Sequence, residues 1–478
     1  MFLDVTKAYD KAWLDALLFV LNKRGINTAE WQIIREMNSN LTAKVKTKHG
    51  NTRDIQIRDS IRQGGVLSVL MYATVMDEIA EEIDLKKLGI PANNKEHHKT
   101  GCLLYMDDVV LISDNLQELQ QMLDITYEIA SRYRIVFGKE KSKVMKIGSS
   151  AQTNLKLGNM EIEETDKYKY LGEMMNNKGN LEDHIIMLEG KVEAAYQTLL
   201  HIAKDKNFKG IKMEVIWKIL ETCIIPIVMY GAEARTANKK EMEKIAAIQN
   251  NIIKRILQIP QSTPNDAIII ETGTLDVQTL TDLKQINNHL RISKMEQGRE
   301  IKTTWNNSKK WGLQMNNIKT KYGIEDIENR NMSKTWKKEY IKIKAKNTLK
   351  REIEQRNQNK TKVTFLLKGK DTWDPGKRPR YLEVLTRKEC TAIFSARTRM
   401  IKVKGNYKGM HSSKECRICG EKEETQEHIL EECRGLNDDE HDKITTQEIF
   451  ESDTEKLRIT ANKINKKINK FNEKIQQQ

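Results

Sequence analysis

Apolar and polar residues in the first 150 positions follow two periods, that of strands and that of helices. Phe2 to Val5 is a short apolar run typical of a strand, and Cys102 to Ile112 predicts two apolar strands joined by a turn. Tyr9 to Lys23 and Leu116 to Tyr133 have apolar residues at helical spacing, and Gly25 would end the first of them. Strands and helices interleave without the regular alternation of a doubly wound sheet, which predicts an α+β fold.

Three longer helices are predicted further along the chain. Leu181 to Ala203, Met213 to Tyr230 and Lys239 to Leu257 each carry an apolar stripe at helical spacing. Residues 441–478 are instead polar and rich in Lys, Asn and Gln. This composition predicts a lone frayed helix or a disordered tail.

Basic residues are concentrated in residues 301–410. The whole chain has 82 Lys and Arg against 67 Asp and Glu, a net charge of +15. Residues 301–410 alone hold 29 basic and 10 acidic residues, so the rest of the chain is slightly acidic. A charge of this sign predicts a polyanionic partner, either nucleic acid or an anionic membrane surface.

Four tryptophans are interleaved with this charge, at Trp305, Trp311, Trp336 and Trp373. A charge run is usually a solvated linker, and that interpretation stays open. A pure linker rarely retains so many large aromatic residues, whereas nucleic-acid surfaces use them for stacking, so binding is favoured. A membrane role is set aside, because no apolar run is long enough to span a bilayer and the first residues do not have a signal-peptide pattern.

Three of the six cysteines lie in one short segment. Cys416, Cys419, His428 and Cys433 supply three thiols and one imidazole in fewer than 20 residues, a spacing typical of a closed, structural Zn²⁺ site. His411 is an alternative ligand. Six cysteines are too few and too scattered for a disulfide framework, which favours a reducing, intracellular compartment. The other three (Cys102, Cys223 and Cys390) are predicted to be small core residues.

Two acidic segments lie next to apolar strands. Asp4 ends the first predicted strand, and Asp107 and Asp108 fall inside the apolar run from Leu103 to Leu111. Adjacent carboxylates repel each other and lose solvation when apolar strands flank them, so their charge needs compensation. A turn that points them at water would suffice. Divalent cations would also suffice, because Mg²⁺ prefers a few carboxylates together with substrate phosphates.

Four segments in order resemble the reverse transcriptases of LINE-type (non-long-terminal-repeat) retrotransposons. Phe2 to Asp10 resembles their first palm motif, and Tyr105 to Asp108 resembles the palm hairpin. Arg62 to Ser68 is similar to the segment between the two, and Tyr168 to Gly172 to the strand that grips the primer. One four-residue match would be weak, whereas four in the family's order are strong. The segment around Cys416 to Cys433 also resembles the C-terminal zinc knuckle of these enzymes.

The resemblance implies an RNA-directed DNA polymerase that uses an RNA template, a DNA primer and deoxynucleoside triphosphates. Asp4, Asp107 and Asp108 would hold two Mg²⁺ ions, or Mn²⁺. Tyr9 would exclude a ribose 2′-hydroxyl, and Gln63 and Gly64 would lie along the nascent base pair. Lys143 would lie near the nucleotide phosphates. The family also implies a nuclear location, which the short cluster from Lys377 to Arg380 does not establish by itself.

The resemblance divides the chain into a palm (1–178), a helical thumb-like region (179–300), a basic partly helical segment (301–410), a zinc knuckle (411–437) and a polar tail (438–478). In this family fingers precede the palm, and only three residues precede Asp4. Because positioning provides most of the catalysis of phosphoryl transfer, this chain is expected to be weak or inactive by itself. The alternative is a non-catalytic remnant that binds nucleic acid through its basic segment and knuckle.

Overall fold

A computed structural model describes residues 1–57, 60–91, 99–148, 153–203, 211–296, 299–370, 373–406, 413–437 and 442–477. The chain divides into two compact units. Unit 1 comprises residues 1–183 and 295–312, and unit 2 comprises residues 184–294 and 313–478. The fold is mixed α/β, as the periodicity predicts, because strands and helices alternate in unit 1 and helices dominate unit 2.

Fifteen short strands are present in the described residues, all of them in unit 1. They are β1 (Phe2–Asp4), β2 (Thr42–Ala43), β3 (Lys46–Thr47), β4 (Gly50–Asn51), β5 (Ile55–Gln56), β6 (Ile90–Pro91), β7 (Lys99–Thr100), β8 (Cys102–Tyr105), β9 (Asp108–Leu111), β10 (Lys143–Val144), β11 (Lys156–Leu157), β12 (Met160–Glu161), β13 (Glu163–Glu164), β14 (Lys167–Tyr170) and β15 (Glu173–Asn176).

Eighteen α-helices are present in the same residues. They are α1 (Leu14–Lys23), α2 (Thr28–Asn38), α3 (Val66–Leu85), α4 (Leu116–Arg132), α5 (Glu182–Ile202), α6 (Met213–Ile219), α7 (Ile225–Val228), α8 (Lys239–Leu257), α9 (Asn265–Thr272), α10 (Val277–Ser293), α11 (Glu300–Asn307), α12 (Lys309–Tyr322), α13 (Lys334–Arg356), α14 (Thr361–Gly369), α15 (Tyr381–Val384), α16 (Arg387–Arg397), α17 (Thr446–Ile449) and α18 (Thr454–Gln476).

The largest sheet has five strands in the order β13-β10-β1-β9-β8. β1 lies at its centre and pairs antiparallel with β9 on one side and β10 on the other. Helix α3 packs on β8 of this sheet, and α1 and α4 both pack on α3. Leu3, Val109 and Leu111 are buried in the same core as the apolar stripes of these helices, including Ile79 and Met122. Burial of these stripes in a common core fixes which face each strand presents.

Before residue 258, the predicted elements match the observed ones closely, with two differences. The first helix begins at Leu14 rather than at Tyr9. The second difference is a π-helical turn at Leu220–Ile224, which divides the predicted helix between α6 and α7. Pro226, the second residue of α7, has no N–H to donate, so the regular hydrogen-bond ladder cannot run through this point.

The prediction of a lone frayed helix or a disordered tail is wrong for residues 454–476. α18 packs on α16, and its apolar stripe, which includes Leu457, Ile464 and Phe471, is buried. The composition is polar because the other faces of the helix are polar, and the stripe is narrow enough to be overlooked. Much of the basic segment is also packed in unit 2, where α13 lies on α10. A solvated linker would not pack in this way.

Two further points follow from the described residues. None of their helices is both long and apolar enough to cross a lipid bilayer. Cys102 and Cys390 are buried as predicted, whereas Cys223 is exposed, which contradicts the prediction for that residue.

Candidate active site and metal centre

Asp4 and Asp108 lie opposite each other on neighbouring antiparallel strands. The register of β1 and β9 pairs Leu3 with Val109 and Asp4 with Asp108. Directly opposed residues in such a pair have Cβ atoms about 5 Å apart. The backbone of Asp4 is also fixed from the other side, because Gly138 donates its N–H to the Asp4 carbonyl at 2.9 Å. Two carboxylates from distant parts of the chain therefore meet at one end of the sheet.

Asp107 lies in the tight turn beside this pair. β8 and β9 form a hairpin in which Tyr105 pairs with Asp108, so Met106 and Asp107 are the two loop residues. Met106 has a positive φ of 59°. Two-residue hairpins require such a conformation, which costs a non-glycine residue about 1 kcal/mol. The turn holds Asp107 next to Asp108 at the strand ends.

The charges of Asp4 and Asp107 act on Asp108. Burial raises the pKa of Asp108, the negative charges of Asp107 and Asp4 raise it further, and Lys141 opposes the shift. Lys141 Nζ lies 3.2 Å from Asp4 Oδ2. A carboxylate whose pKa is raised by neighbouring carboxylates suits a divalent cation, because a bound cation opposes that effect. The aspartates therefore have the donor chemistry that Mg²⁺ prefers.

The two lysines of the next segment have different partners. Lys143 lies on β10 opposite Phe2, and its ammonium group pairs with Glu163. Lys141 instead reaches Asp4 and remains 71% exposed. The structure thus places Lys141 at the carboxylates and does not bring Lys143 to them. Both lysines belong to one short basic motif. The sequence therefore indicated a basic residue near the site but did not show which of the two lysines it is.

Tyr9 and Gln63 are brought together by local contacts. Ile61 donates its N–H to the Tyr9 carbonyl at 3.0 Å, and Gln63 Nε2 lies 3.2 Å from Asp10 Oδ1. Gly64 has a φ of 82°, which allows the chain to turn into α3. The segments around Tyr9 and Gly64 therefore share one location, as their order in the sequence suggested.

Tyr72 is a residue of this region that the sequence did not single out. Its ring stacks on Tyr9 with centroids 5.6 Å apart. Burial raises the pKa of Tyr72 above its ordinary value, and the charge of Asp107 adds to the shift. Among the described residues its buried hydroxyl has no hydrogen-bond partner. The sequence feature that could have identified it is a tyrosine within the apolar stripe of α3, because an aliphatic residue would have sufficed there for packing.

The β14–β15 hairpin contacts the same end of the sheet. Tyr168 stacks on Phe2 with ring centroids 4.1 Å apart, and its hydroxyl donates to the Lys141 carbonyl at 2.9 Å. Burial raises the pKa of Tyr168 to about 12, and the charges of Asp4 and Asp108 contribute. The segment expected to grip a primer therefore lies within electrostatic reach of the carboxylates.

The Cys/His cluster is a second, separate group in unit 2. The ligand atoms of Cys416, Cys419, His428 and Cys433 all lie within 4.8 Å of one another. Cys416 Sγ lies 3.9 Å from Cys433 Sγ, and Cys419 Sγ lies 3.2 Å from His428 Nε2. Two thiolates on tetrahedral Zn²⁺ are about 3.8 Å apart, given Zn–S bonds of about 2.3 Å. The four side chains therefore fit zinc. Among the described residues, no other group of His, Cys, Asp or Glu side chains is arranged closely enough to hold a metal ion in this way. Asp4, Asp107 and Asp108 do not form such a group.

Local hydrogen bonds shape the cluster. Cys416 donates its N–H to the Lys422 carbonyl at 2.7 Å, and Gly420 donates to the Cys416 carbonyl at 2.9 Å. Ile418 directs its N–H at Cys416 Sγ at 3.4 Å. Gly420 has a φ of 69°, a value that suits glycine in so tight a turn. These bonds form a knuckle that brings the first two thiols together.

The thiols have different environments. Burial raises the pKa of Cys433 to about 12, and the neighbouring Cys416 adds to the shift. Burial would also raise the pKa of Cys419, but backbone N–H groups of Glu421 and Lys422 hold it below the ordinary value. His428 Nδ1 lies 3.8 Å from Glu432 Oε2, and among the described residues it has no hydrogen-bond partner. His411 lies outside the described residues.

Only one of the four tryptophans in the basic segment is largely exposed. Trp305 and Trp311 stack on each other with centroids 4.5 Å apart, and Trp373 is buried in an apolar core with Ile270. Trp336 is 68% exposed. Three of these rings therefore have a packing role, so their number does not by itself support base stacking.

Comparisons with known proteins cover the part of the chain that contains the four motifs. Residues 1–175 match the family described as reverse transcriptase (RNA-dependent DNA polymerase). The chain is 23% identical over 296 residues to the retrovirus-related Pol polyprotein from type-1 retrotransposable element R2 of Popillia japonica, a match that covers 59% of this chain and 39% of that protein. It is 20% identical over 273 residues to the RNA-directed DNA polymerase from mobile element jockey of Drosophila funebris, covering 54% of this chain and 28% of that protein. The chain therefore spans well under half the length of these two relatives.

Proposed function

We propose that this chain, whose residues 1–175 form a reverse transcriptase domain of the non-long-terminal-repeat retrotransposon type, is an RNA-directed DNA polymerase. It would extend a DNA primer on an RNA template. The observation that supports this activity best is the register that sets Asp4 against Asp108, with Asp107 in the adjoining turn. Three carboxylates from two distant segments at one sheet end suit a nucleotidyl transfer site.

In this reaction the primer 3′-oxygen forms a bond to the α-phosphorus of a deoxynucleoside triphosphate, and the bond to the leaving pyrophosphate breaks. Two Mg²⁺ ions, when bound, would activate the 3′-hydroxyl and neutralise the developing phosphate charge. Asp4 and Asp108 would hold them from opposing strands, with Asp107 beside them. The strained turn at Met106 would keep Asp107 in place without a need for reorganisation.

Other side chains would position the nucleotide. Tyr9, held by its stack on Tyr72, would meet the sugar and exclude a ribose 2′-hydroxyl. Gln63 and Gly64 would lie along the new base pair, because their segment shares a location with Tyr9. Lys141 would contact the triphosphate, since it is the lysine that reaches Asp4 and is exposed. This assignment replaces Lys143, whose ammonium group pairs with Glu163.

The remaining regions complete the proposal. Residues 1–178 would be the palm, residues 179–300 a thumb, and residues 411–437 a knuckle that structural zinc stabilises. Zinc would act there as a folding ligand, because all four donors come from the protein and no coordination position is left for a substrate. A nuclear location stays a prediction from the resemblance.

The proposal is tested by primer extension with the purified chain. An RNA template, a DNA primer and the four deoxynucleotides are supplied with Mg²⁺ or Mn²⁺. The unsubstituted chain is compared with Asp107→Asn/Asp108→Asn, which removes two carboxylates while retaining the size of both side chains. A matched control is Glu128→Gln/Asp124→Asn on α4, which removes two exposed charges in the same unit.

Extension that disappears in the first variant and persists in the control supports the polymerase. Extension that survives the loss of both carboxylates would refute the assigned site. A chain that binds primer and template but extends none of it with either metal would refute polymerase activity for this chain.

A further inference from the structure

Five lysines repeat every four residues along α13. They are Lys334, Lys338, Lys342, Lys346 and Lys350, here called the lysine ladder. Each step of four residues advances about 6 Å along the helix and about 40° around it, so over its length of about 24 Å the ladder follows one ridge that winds about 160° around the helix. The buried positions of the helix include Ile341, Ala345 and Leu349. Each of these directly precedes a ladder lysine, so the ladder borders the packed face.

The ladder lines a series of cavities in unit 2. Lys334 and Lys338 line a cavity of about 460 Å³ whose other wall is α10. Lys342 and Lys346 line the next, of about 450 Å³, and Leu280 of α10 contributes to both. Lys350 lines a third, of about 300 Å³. Four of the ladder lysines therefore line two adjoining cavities, and Lys350 lines a separate one.

Carboxylates in these cavities already have other partners. Glu233 pairs with Lys284, and Glu221 pairs with Arg378. Glu354 accepts a hydrogen bond from the Trp373 indole. Within the part of the chain that the structure describes, none of the five ladder lysines forms an ion pair with a carboxylate. Their positive charge is therefore available to an external partner.

We propose that the lysine ladder binds the sugar–phosphate backbone of a nucleic-acid strand, independently of its sequence. A single anion would need converging donors, whereas these lysines are spread over about 24 Å of a winding ridge. A nucleic acid carries one phosphate per nucleotide, about 3.4 Å apart along a duplex strand, so about seven phosphates match the length of the ladder. The identity of this polyanion rests on the proposed function, which supplies both an RNA template and a DNA product.

The expected effect follows from counterion release. Each phosphate contact adds about 0.9 to the slope of log K against log salt for duplex DNA and about 0.7 for a single strand. If three contacts are lost, the slope falls by about 2 to 3. We take the two proteins to bind equally at about 1 M salt. At about 0.15 M salt, the protein that lacks the three contacts then binds a single strand about 50-fold more weakly and a duplex about 150-fold more weakly.

The test compares two triple variants of the full chain. Lys338→Gln/Lys342→Gln/Lys346→Gln removes the centre of the ladder. Lys239→Gln/Lys240→Gln/Lys244→Gln removes three exposed lysines of α8, with the same change in net charge. Fluorescence anisotropy measures binding of labelled RNA, DNA and RNA–DNA hybrid of one sequence at several salt concentrations. Circular dichroism establishes that both variants are folded.

The ladder variant is expected to bind with the lower affinity and smaller salt slope given above, while the α8 variant binds like the unsubstituted chain. Equal losses in the two variants, or no loss in the ladder variant, would overturn the proposal.

The three probes distinguish a single-stranded template from a hybrid product. In primer extension, the ladder variant should raise KM for the template and retain kcat. Asp107→Asn/Asp108→Asn should bind normally and not extend, so a failure of either proposal is recognised separately.

Discussion

Glu271→Gln is expected to destabilise unit 2 strongly. Glu271 on α9 is fully buried, and its carboxylate lies 2.7 Å from Lys370 Nζ and 3.0 Å from an Arg397 guanidinium nitrogen. The Tyr381 hydroxyl also bonds to it. Glutamine has nearly the same shape, and its Oε1 can accept from the Tyr381 hydroxyl. Its side chain is uncharged, and its NH2 group faces Lys370, where the second carboxylate oxygen had formed an ion pair. Two cations then remain almost fully buried without their counter-charge.

The magnitude follows from that burial. The Lys370 and Arg397 side chains are 11% and 6% exposed, so water can replace little of the lost interaction. Removing one partner of a buried ion pair typically costs about 3 to 5 kcal/mol. A matched control is Glu233→Gln, because Glu233 and its partner Lys284 are both nearly half exposed. Such a surface pair contributes less than about 1 kcal/mol.

Hydrogen–deuterium exchange measures both variants at defined places. The peptides that cover α9 and α16 report the opening free energy of the elements that carry Glu271 and Arg397. A loss of about 3 kcal/mol lowers their protection by a factor of about 100 or more. If Glu271→Gln changed protection no more than Glu233→Gln does, the buried cluster would contribute no more than a surface pair, and the reasoning would be refuted.

A pH series adds a second check. Burial by itself would raise the pKa of Glu271, but Lys370 and Arg397 hold it below the ordinary value. The folded pKa is thus lower than the unfolded one, so the stabilisation is present above the unfolded pKa and is lost as pH falls through the folded one. The difference between the unsubstituted chain and Glu271→Gln should therefore be full at pH 7 and shrink well below about pH 4.

Two further predictions concern the candidate sites. Lys141→Gln should lower kcat/KM for deoxynucleotide incorporation about tenfold, as expected when one charge-assisted contact is lost, while Lys143→Gln should have a clearly smaller effect. Steady-state primer extension measures both, and a larger effect at Lys143 would return the role to that residue. Cys433→Ser should reduce bound zinc from one ion per chain and expose the knuckle to protease, whereas Cys390→Ser, at a buried thiol outside the cluster, should retain the ion. Metal analysis by mass spectrometry decides, and a full zinc content in Cys433→Ser would exclude this ligand set.

The fold was predictable from the sequence where periodicity was strong. The hairpin around Asp107 and the helix from Leu116 correspond to β8, β9 and α4 almost residue for residue, because long apolar stripes and short apolar runs have distinct periods. The packing of α18 was not predictable in the same way. Its stripe is narrow, and its burial depends on a partner helix that lies more than 50 residues earlier in the sequence.

The residue types of the site were visible in the sequence, but their contacts were not. The sequence contains Asp4, Asp107 and Asp108, yet only the register of β1 and β9 sets Asp4 against Asp108. Which of Lys141 and Lys143 can contact the nucleotide depends on which of them is already paired with a carboxylate, as Lys143 is with Glu163. Such pairings arise between segments distant in sequence, and no local pattern encodes them. The Cys/His spacing is the exception, since its four ligands are local.

The central position of β1 has a consequence for synthesis on the ribosome. β1 is complete at Asp4, but its partners β9 and β10 follow more than 100 residues later. At about 5 to 20 residues per second, the nascent chain carries this apolar segment without either partner for about 5 to 20 s. An unpaired apolar strand is a template for aggregation during that time. Slowing translation between residues 4 and 108 should therefore lower the yield of properly folded protein, and a chaperone that covers the first strand should restore it.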